Sequence, residues 1–315
     1  MEVFIYKKTV QKYEKKWHQS KKGIDLSLSQ LLEIFKVQVF TKVHELKSFI
    51  KSHQVLEKTI GFVPTMGALH AGHGSLISEA KKVNELVVAS IFVNPTQFNN
   101  ASDLDKYPRS IDADCAILSS LGCDAVLIPS VEEIYTDDFV FPDIDLGFLD
   151  QVMEGKHRPG HFQGVVQVVY RLFEIVTPTS AYFGLKDFQQ VAVIRFMTTF
   201  FKLPIQIVAI PTLREASGLA MSSRNLRLSL SEREEAVKIS ETLYFAKKVA
   251  KNHTPEETKN ATIDFFNQSN LKLEYFEIVD PINLERLTDS WVPSAVACIV
   301  AYCGEVRLID NLQLN

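Results

Sequence analysis

Between Val37 and Ile210 short apolar runs alternate with longer stretches whose apolar residues recur every three or four positions, and this alternation limits the possible folds more than any other feature. The runs are VQVF, TIGFV, ELVVASIFV, DAVLI, SAYFG and IQIVAI. Four stretches between them read as helices. VHELKSFIKS places Val43, Leu46, Phe49 and Ile50 on one face. SLISEAKKVN belongs to a helix beginning near His73, with Leu76, Ile77, Ala80 and Val83 inward. DADCAILSSLG is the third, and DFQQVAVIRFMTTFF carries Val191, Ile194 and Phe196 inward. Strands apolar on both faces and separated by helices must be covered on both sides, which predicts an α/β, doubly wound parallel sheet.

In such sheets ligands bind outside the carboxyl ends of the strands. Prolines and polar residues collect there: PTMGALH follows TIGFV, NPTQF follows ELVVASIFV, LKD follows SAYFG, and PTLRE follows IQIVAI. The ligand crevice can therefore be placed before any motif is named.

After about Thr212 the pattern changes. Two helical stretches, SEREEAVKISETLYFAKKVAK and TPEETKNATIDFFNQ, precede strands LKLEYFEIVD, SAVACIVAYC and EVRLID, the last two joined at Gly304. This is a smaller α+β unit, and at about 150 residues per domain the 315-residue chain accommodates both. The expected division is an extension over 1–36, a catalytic domain over 37–211 and a smaller domain over 212–315. The extension is lysine-rich, with an amphipathic SLSQLLEIFK, and carries no recognisable chemistry.

The formal net charge of −4 offers no basic patch for nucleic acid. The extension holds eight lysines against four acids, so the remaining 279 residues are distinctly acidic, and positive charge must be concentrated at a few strand tails. Leu86–Val93 and Ile205–Ile210, the longest nearly apolar runs, are far short of the ~20 residues that span a bilayer. The first ten residues do not read as a secretory signal, so a cytoplasmic location is expected. Cys115, Cys123, Cys298 and Cys303 sit in or beside apolar segments, as packed free thiols would in a reducing compartment.

Several constellations could carry chemistry. In FVPTMGALHAGHGSLISEAKK, Pro64 and Gly67 break the chain before a helix whose N-terminus suits a phosphate, with His70 and His73 at that end. The alternatives are a pair of turn histidines or zinc ligands. In AYFGLKDFQQ, Lys186 supplies a point charge for phosphate and Asp187 an acceptor for ribose hydroxyls, unless the pair is only an exposed turn. GLAMSSRN, with Ser222, Ser223 and Arg224, could close over a polyphosphate or be a flexible linker. Asn94 and Gln97 offer neutral hydrogen bonds, and RPGHFQGVVQVV adds Arg158, His161 and Gln163.

In order along residues 37–315, these segments resemble the pantothenate synthetase family. PTMGxLHxGHxSLI is met by Pro64 to Ile77, FVNPxQF by Phe92 to Phe98, DLDxYPR by Asp103 to Arg109, and RPxHFxGV by Arg158 to Val165. FGxKDxQQ is met by Phe183 to Gln190, PTxRExxGLAMSSRN by Pro211 to Asn225, and RLIDN by Arg307 to Asn311. The chain departs from the family at Ala71, where an acid is common, at Phe188, often tyrosine, and in its extension.

The resemblance implies a Rossmann-like domain with an HxGH signature, His70 to His73, and a mobile KMSKS-like loop, Met221 to Arg224. It implies ATP-dependent condensation of (R)-pantoate with β-alanine through a pantoyl adenylate, in a homodimer, with Mg²⁺ as the ATP counter-ion and Asp112 or Asp114 as a possible ligand. By carry-over the ATP site comprises Met66, Gly67, Ala68, Leu69, His70, Ala71, Gly72, His73, Gly184, Leu185, Lys186, Asp187, Leu213, Met221, Ser222, Ser223 and Arg224. His73 is implied as proton donor, with His70, Lys186 and Arg224 beside it as positive charge for the phosphates. Gln97 and Gln190 are implied for pantoate, Gln97 also for β-alanine, Arg158 for a phosphate, and Phe62 or Phe188 as an apolar wall. An HxGH nucleotidyltransferase acting on another small acceptor is the alternative.

Overall fold

The structure is a computed structural model that describes residues 36–97 and 107–315. The extension reading, including its amphipathic helix, falls almost wholly outside them, as does most of the DLDxYPR segment.

Six parallel strands form one sheet in the order β1-β4-β3-β2-β5-β6: β1 Gln38–Phe40, β2 Ile60–Thr65, β3 Leu86–Ile91, β4 Ala125–Leu127, β5 Ser180–Gly184 and β6 Gln206–Ile210. Successive residues of a strand point to opposite faces. Thus Leu86 and Val88 enter one core while Val87, Ala89 and Ile91 enter the other. The first core is covered by α1 (Val43–Gln54), α5 (His161–Val176) and α6 (Phe188–Phe200), the second by α2 (Ala71–Val83) and α3 (Ile111–Ser120). α4 is Met153–His157. Helices on both faces make the expected Rossmann-like, doubly wound α/β arrangement.

Two helix faces differ from expectation. Val83 is 71% exposed because α2 ends there, beyond the last turn packed on the sheet. Phe196 is also on the surface and pairs with Phe200, one turn along, at a ring-centroid distance of 6.0 Å. Val191 and Ile194 are buried as predicted.

The C-terminal part is an antiparallel sheet, β7 (Lys272–Val279), β8 (Val296–Cys303) and β9 (Val306–Gln313), with α7 (Leu230–Val249) and α8 (Pro255–Phe266) against it. Both helices begin with reciprocal caps, Ser229 with Glu232 and Thr254 with Glu257. The opposite face of the sheet packs Cys298, Val279 and Val296 against Met153, with Phe188 alongside. Polar contacts reinforce that join: Arg307 of β9 donates to both carboxylate oxygens of Glu154 at 2.8 and 2.7 Å. Burial pushes the Glu154 carboxyl up, but Arg307, with Arg158 and the Tyr275 hydroxyl, more than offsets this and holds it at about 2. All four cysteines are free, and three are buried.

Candidate active site

The chain runs from β2 to β3 and β4 on one side, then crosses to β5 and β6 on the other, so the sheet reverses direction between β2 and β5. A cleft of about 1410 Å³, counting the solvent at its open mouth, lies at the carboxyl ends there, lined by Pro64 to Met66 at the end of β2, Gly184 at the end of β5 and Pro211 to Leu213 after β6.

The HxGH segment is shaped by its own backbone. Gly67 and Ala68 both have left-handed conformations, φ 83° and 50°. A Cβ on Gly67 would stand 3.0 Å from Ile91 and 3.1 Å from the Asp114 carboxylate. Asp114, buried in α3, accepts the N–H of Ala68 at 2.9 Å and of Leu69 at 2.8 Å, and the Ser110 hydroxyl at 3.2 Å. Its oxygens thus hold the backbone of the HxGH turn in place; Asp112 is exposed on the same helix. Among the described residues no group of three or more His, Cys, Asp or Glu side chains could hold a metal ion, so the zinc alternative for His70 and His73 finds no partners.

α2 begins at Ala71, two residues before the expected start, because histidines cap it. His70 Nδ1 accepts the Gly72 N–H at 3.1 Å, and His73 Nδ1 accepts the His70 N–H at 3.3 Å. With Nδ1 accepting, each neutral ring carries its proton on Nε2. Burial, then the Lys186 charge, brings His70 down to about 4; burial, then His70 and Lys186, brings His73 to about 3. Burial thus favours the neutral form of both rings near pH 7, as N–H donors, and among the described residues the cations on the wall are Lys186, Arg224 and Arg158.

Lys186 and Asp187 lie in a single 3-10 turn, Leu185–Asp187, with Lys186 Nζ 3.5 Å from the Asp187 carboxylate. The two adjacent glutamines of α6 divide their work. Gln189 is buried, accepts the Glu154 N–H and donates to the carbonyls of Leu149 and Val152, whereas Gln190 faces the cleft. Gln97 faces it too, and its carbonyl is held by His161 Nδ1 at 3.0 Å. Asn94 is fully buried and donates to Thr96 and the Gly164 carbonyl while accepting from Tyr135, so it is a bracket rather than a lining residue.

Of the residues expected at the site, Met66, His70, Gly72, His73, Gln97, Arg158, Gly184, Lys186, Asp187, Gln190, Leu213, Met221, Ser222, Ser223 and Arg224 line this one cleft. Gly67, Ala68, Leu69, Ala71 and Leu185 do not reach its wall. The apolar wall is also different. Phe62 is fully buried in the core and Phe188 faces an adjoining cavity, while Phe92, Phe183, Val165, Val168, Val169 and Leu172 supply the apolar lining. The α5 residues had no assigned role, since the apolar face of an amphipathic helix gives no sign which part of it packs on the sheet and which part a ligand touches. Tyr107 was likewise unassigned; its buried hydroxyl bonds to Ser223.

Comparison with known proteins agrees with this geometry. A pantothenate synthetase of Porphyromonas gingivalis is 51% identical over 283 residues, covering 88% of this chain and 99% of the relative. One from Phocaeicola vulgatus is 52% identical over 278 residues, covering 86% and 97%. The crystal structure of pantothenate synthetase from Thermus thermophilus superposes with a TM-score of 0.83 at 40% identity, over 88% of this chain and 99% of that one. A pantoate-beta-alanine ligase from Francisella tularensis, solved with beta-gamma ATP and beta-alanine, gives a TM-score of 0.73 at 36% identity, over 88% and 98%. The family model described as pantoate-beta-alanine ligase matches residues 38–313, which include every segment that builds the cleft. This chain belongs to the pantoate-beta-alanine ligase family.

Proposed function

We propose that this ligase joins pantoate and β-alanine in two steps within the one cleft, through a pantoyl adenylate. In the first, a pantoate carboxylate oxygen attacks the α-phosphorus of ATP, the α–β phosphoanhydride bond breaks, and diphosphate leaves with the bonding electrons. In the second, the neutral amine of β-alanine attacks the acyl carbon, the carbon–oxygen bond to AMP breaks, and the amine loses its proton as the amide forms.

The observation that carries this reading is the meeting of neutral histidines, a lysine and arginines, and two amides around one cleft. A carboxylate needs no general base to react, so the first step calls chiefly for fixed donors and cations where charge gathers on phosphorus and diphosphate. His70 and His73, with Nε2–H as hydrogen-bond donors, Lys186 and Arg224 serve there, His73 hydrogen-bonding toward the phosphates without giving up its proton, in place of the proton-donor role the resemblance implies. Asp187 takes the ribose, with Gly184, Leu213, Met221, Ser222 and Ser223 around the nucleotide. Gln97 and Gln190 hold pantoate against the apolar wall of α5, Gln97 also meets β-alanine, and Arg158 meets a phosphate. Magnesium fits as part of the substrate, ATP being taken as its magnesium complex, since the described residues offer no group of three or more His, Cys, Asp or Glu side chains to hold the ion.

The reading includes a catalytic unit over 37–211, a smaller unit over 212–315, a cytoplasmic location, which the four free thiols support, and a homodimer, which rests on the family resemblance; light scattering on the purified chain tests the dimer. No described helix is long and apolar enough to cross a membrane. The reaction is tested by ATP/diphosphate exchange with and without pantoate, then by AMP and pantothenate release on adding β-alanine. Exchange that ignores pantoate removes the first step, and diphosphate release without AMP returns the nucleotidyltransferase alternative.

A further inference from the structure

The RLIDN segment of β9 takes no part in the reaction as written, yet it supports two of its segments. Asn311 uses both hydrogens of its side-chain amide on the Lys186 turn, donating to the Leu185 carbonyl at 2.8 Å and the Lys186 carbonyl at 2.9 Å. Asn311 is not on the cleft wall. One residue earlier, the buried Asp310 accepts both arms of Arg214, at 2.6 and 3.1 Å, and also the Asn311 N–H at 2.8 Å. Arg214 donates further to the carbonyls of Gly218 and Asn311.

Arg214 opens the segment that ends in Met221 to Arg224, and that segment is folded back on itself. Arg214 bridges to Ala220, Met221 donates to the Leu213 carbonyl at 3.0 Å, and Asn225 donates to Glu215 and to the Ala220 carbonyl. A fixed base at Arg214 therefore fixes the approach to Arg224. The Lys186 turn and the Arg224 loop are thus fastened to neighbouring residues of one strand, which comes from the other sheet and lies 125 residues further along the chain than Lys186.

We propose that Asn311 is a positioning residue for nucleotide binding: through the Leu185 and Lys186 carbonyls it sets Lys186 and Asp187 in register with the Arg224 loop held by Arg214 and Asp310. The inference rests on the assignment of Lys186, Asp187 and Arg224 to ATP. It places the larger Asn311 effect in ATP, since Gln97 comes from the turn after β3 and Gln190, though next in the chain, is held by the helical hydrogen bonds of α6. A carboxylate at this position would face two carbonyl oxygens with no hydrogen to offer, so Asn311→Asp is more damaging than Asn311→Ala.

The test is calorimetric titration of the full chain with the magnesium complex of a non-reacting ATP analogue methylene-bridged between the α and β phosphates, for wild type, Asn311→Ala, Asn311→Ser and Asn311→Asp. Melting temperature and the KM for pantoate are measured alongside. The expected result is a Kd for the analogue raised about 10-fold in Asn311→Ala, less in Asn311→Ser and more in Asn311→Asp, with the pantoate KM within twofold and an unchanged melting temperature. Analogue binding within twofold of wild type in Asn311→Ala overturns the proposal. So does equal weakening of ATP and pantoate accompanied by a lower melting temperature, which would mark a merely structural residue. If Asn311→Asp does not fold, Asn311→Ser still decides. Analogue binding involves no chemical step, so failure of wild-type diphosphate exchange would strike the reaction reading and leave this comparison intact.

Discussion

The Arg158 guanidinium donates to His161 Nε2 at 3.0 Å, and that one bond fixes which nitrogen of the imidazole carries the proton. Nε2 accepts, so Nδ1–H is the donor to the Gln97 carbonyl, the opposite tautomer from His70 and His73. His161→Phe should remove both partners and leave buried groups unsatisfied, a loss of about 1–3 kcal/mol, read as roughly 10- to 100-fold in kcat/KM for pantoate. His161→Asn, which can restore a donor toward Gln97, should recover part of it. Wild-type kinetics in the phenylalanine variant would show that the pair does not position Gln97.

Among the described residues Lys186 is one of three cations on the cleft wall, beside two histidines that are neutral. Lys186→Ala is expected to slow adenylation about 100-fold or more, on the order of 3 kcal/mol. Single-turnover formation of diphosphate measures it, and a near-normal rate would take Lys186 out of the mechanism.

Gly164 lets α5 press against the turn that presents Gln97. A Cβ there would lie 2.3 Å from the Thr96 carbonyl oxygen, inside any permissible contact. Gly164→Ala must push the turn away, and the Asn94 bond to the Gly164 carbonyl with it. The expected outcome is a destabilisation of about 1–3 kcal/mol and a raised KM for pantoate, with ATP-analogue affinity less affected. Urea titration and steady-state kinetics separate the two.

Acid should weaken the fold before the carboxylates titrate. His70, His73 and His161 sit at about 4, 3 and 4 in the folded chain, against about 6.5 when unfolded. Burial is the first cause in each case, so the folded state refuses protons that the unfolded state accepts. As pH falls from about 6.5 toward 5, the unfolded state gains protons and stability declines. Urea unfolding at pH 7, 6 and 5 should show that decline, with a shallower slope, by up to one proton, in His161→Asn. A pH-independent stability over this interval would contradict the neutral assignment.

The sheet was legible in the sequence because strands apolar on both faces have one architectural solution, and the cleft because the polar residues cluster after them. Gln190 was distinguishable from Gln189 only through the family motif; the structure supplies the reason, since the Gln189 amide is consumed by the Leu149–Glu154 backbone. Other errors have a common origin in partners that no local pattern encodes. The role of Asp114 in holding the HxGH turn was not legible, because the Ala68 and Leu69 N–H groups it accepts lie about 45 residues away in sequence. Asn311 carried no visible role because its partners lie in the other sheet's β5–α6 turn. Val83 fits a helical stripe, but a stripe does not say where a helix outruns the sheet beneath it, and Phe196 lies on the edge of its stripe, against Phe200 on the surface.

The histidines at the start of α2 occupy positions where serine, aspartate or glutamate would be the ordinary choice for ending a helix cleanly. Here the same imidazole rings close off the helix with one nitrogen and, in the proposed reaction, address the nucleotide with the other. On that reading, a substitution at either position changes the helix start and the nucleotide contact together: serine or aspartate would keep the cap but withdraw the ring, and a side chain without an acceptor would lose both.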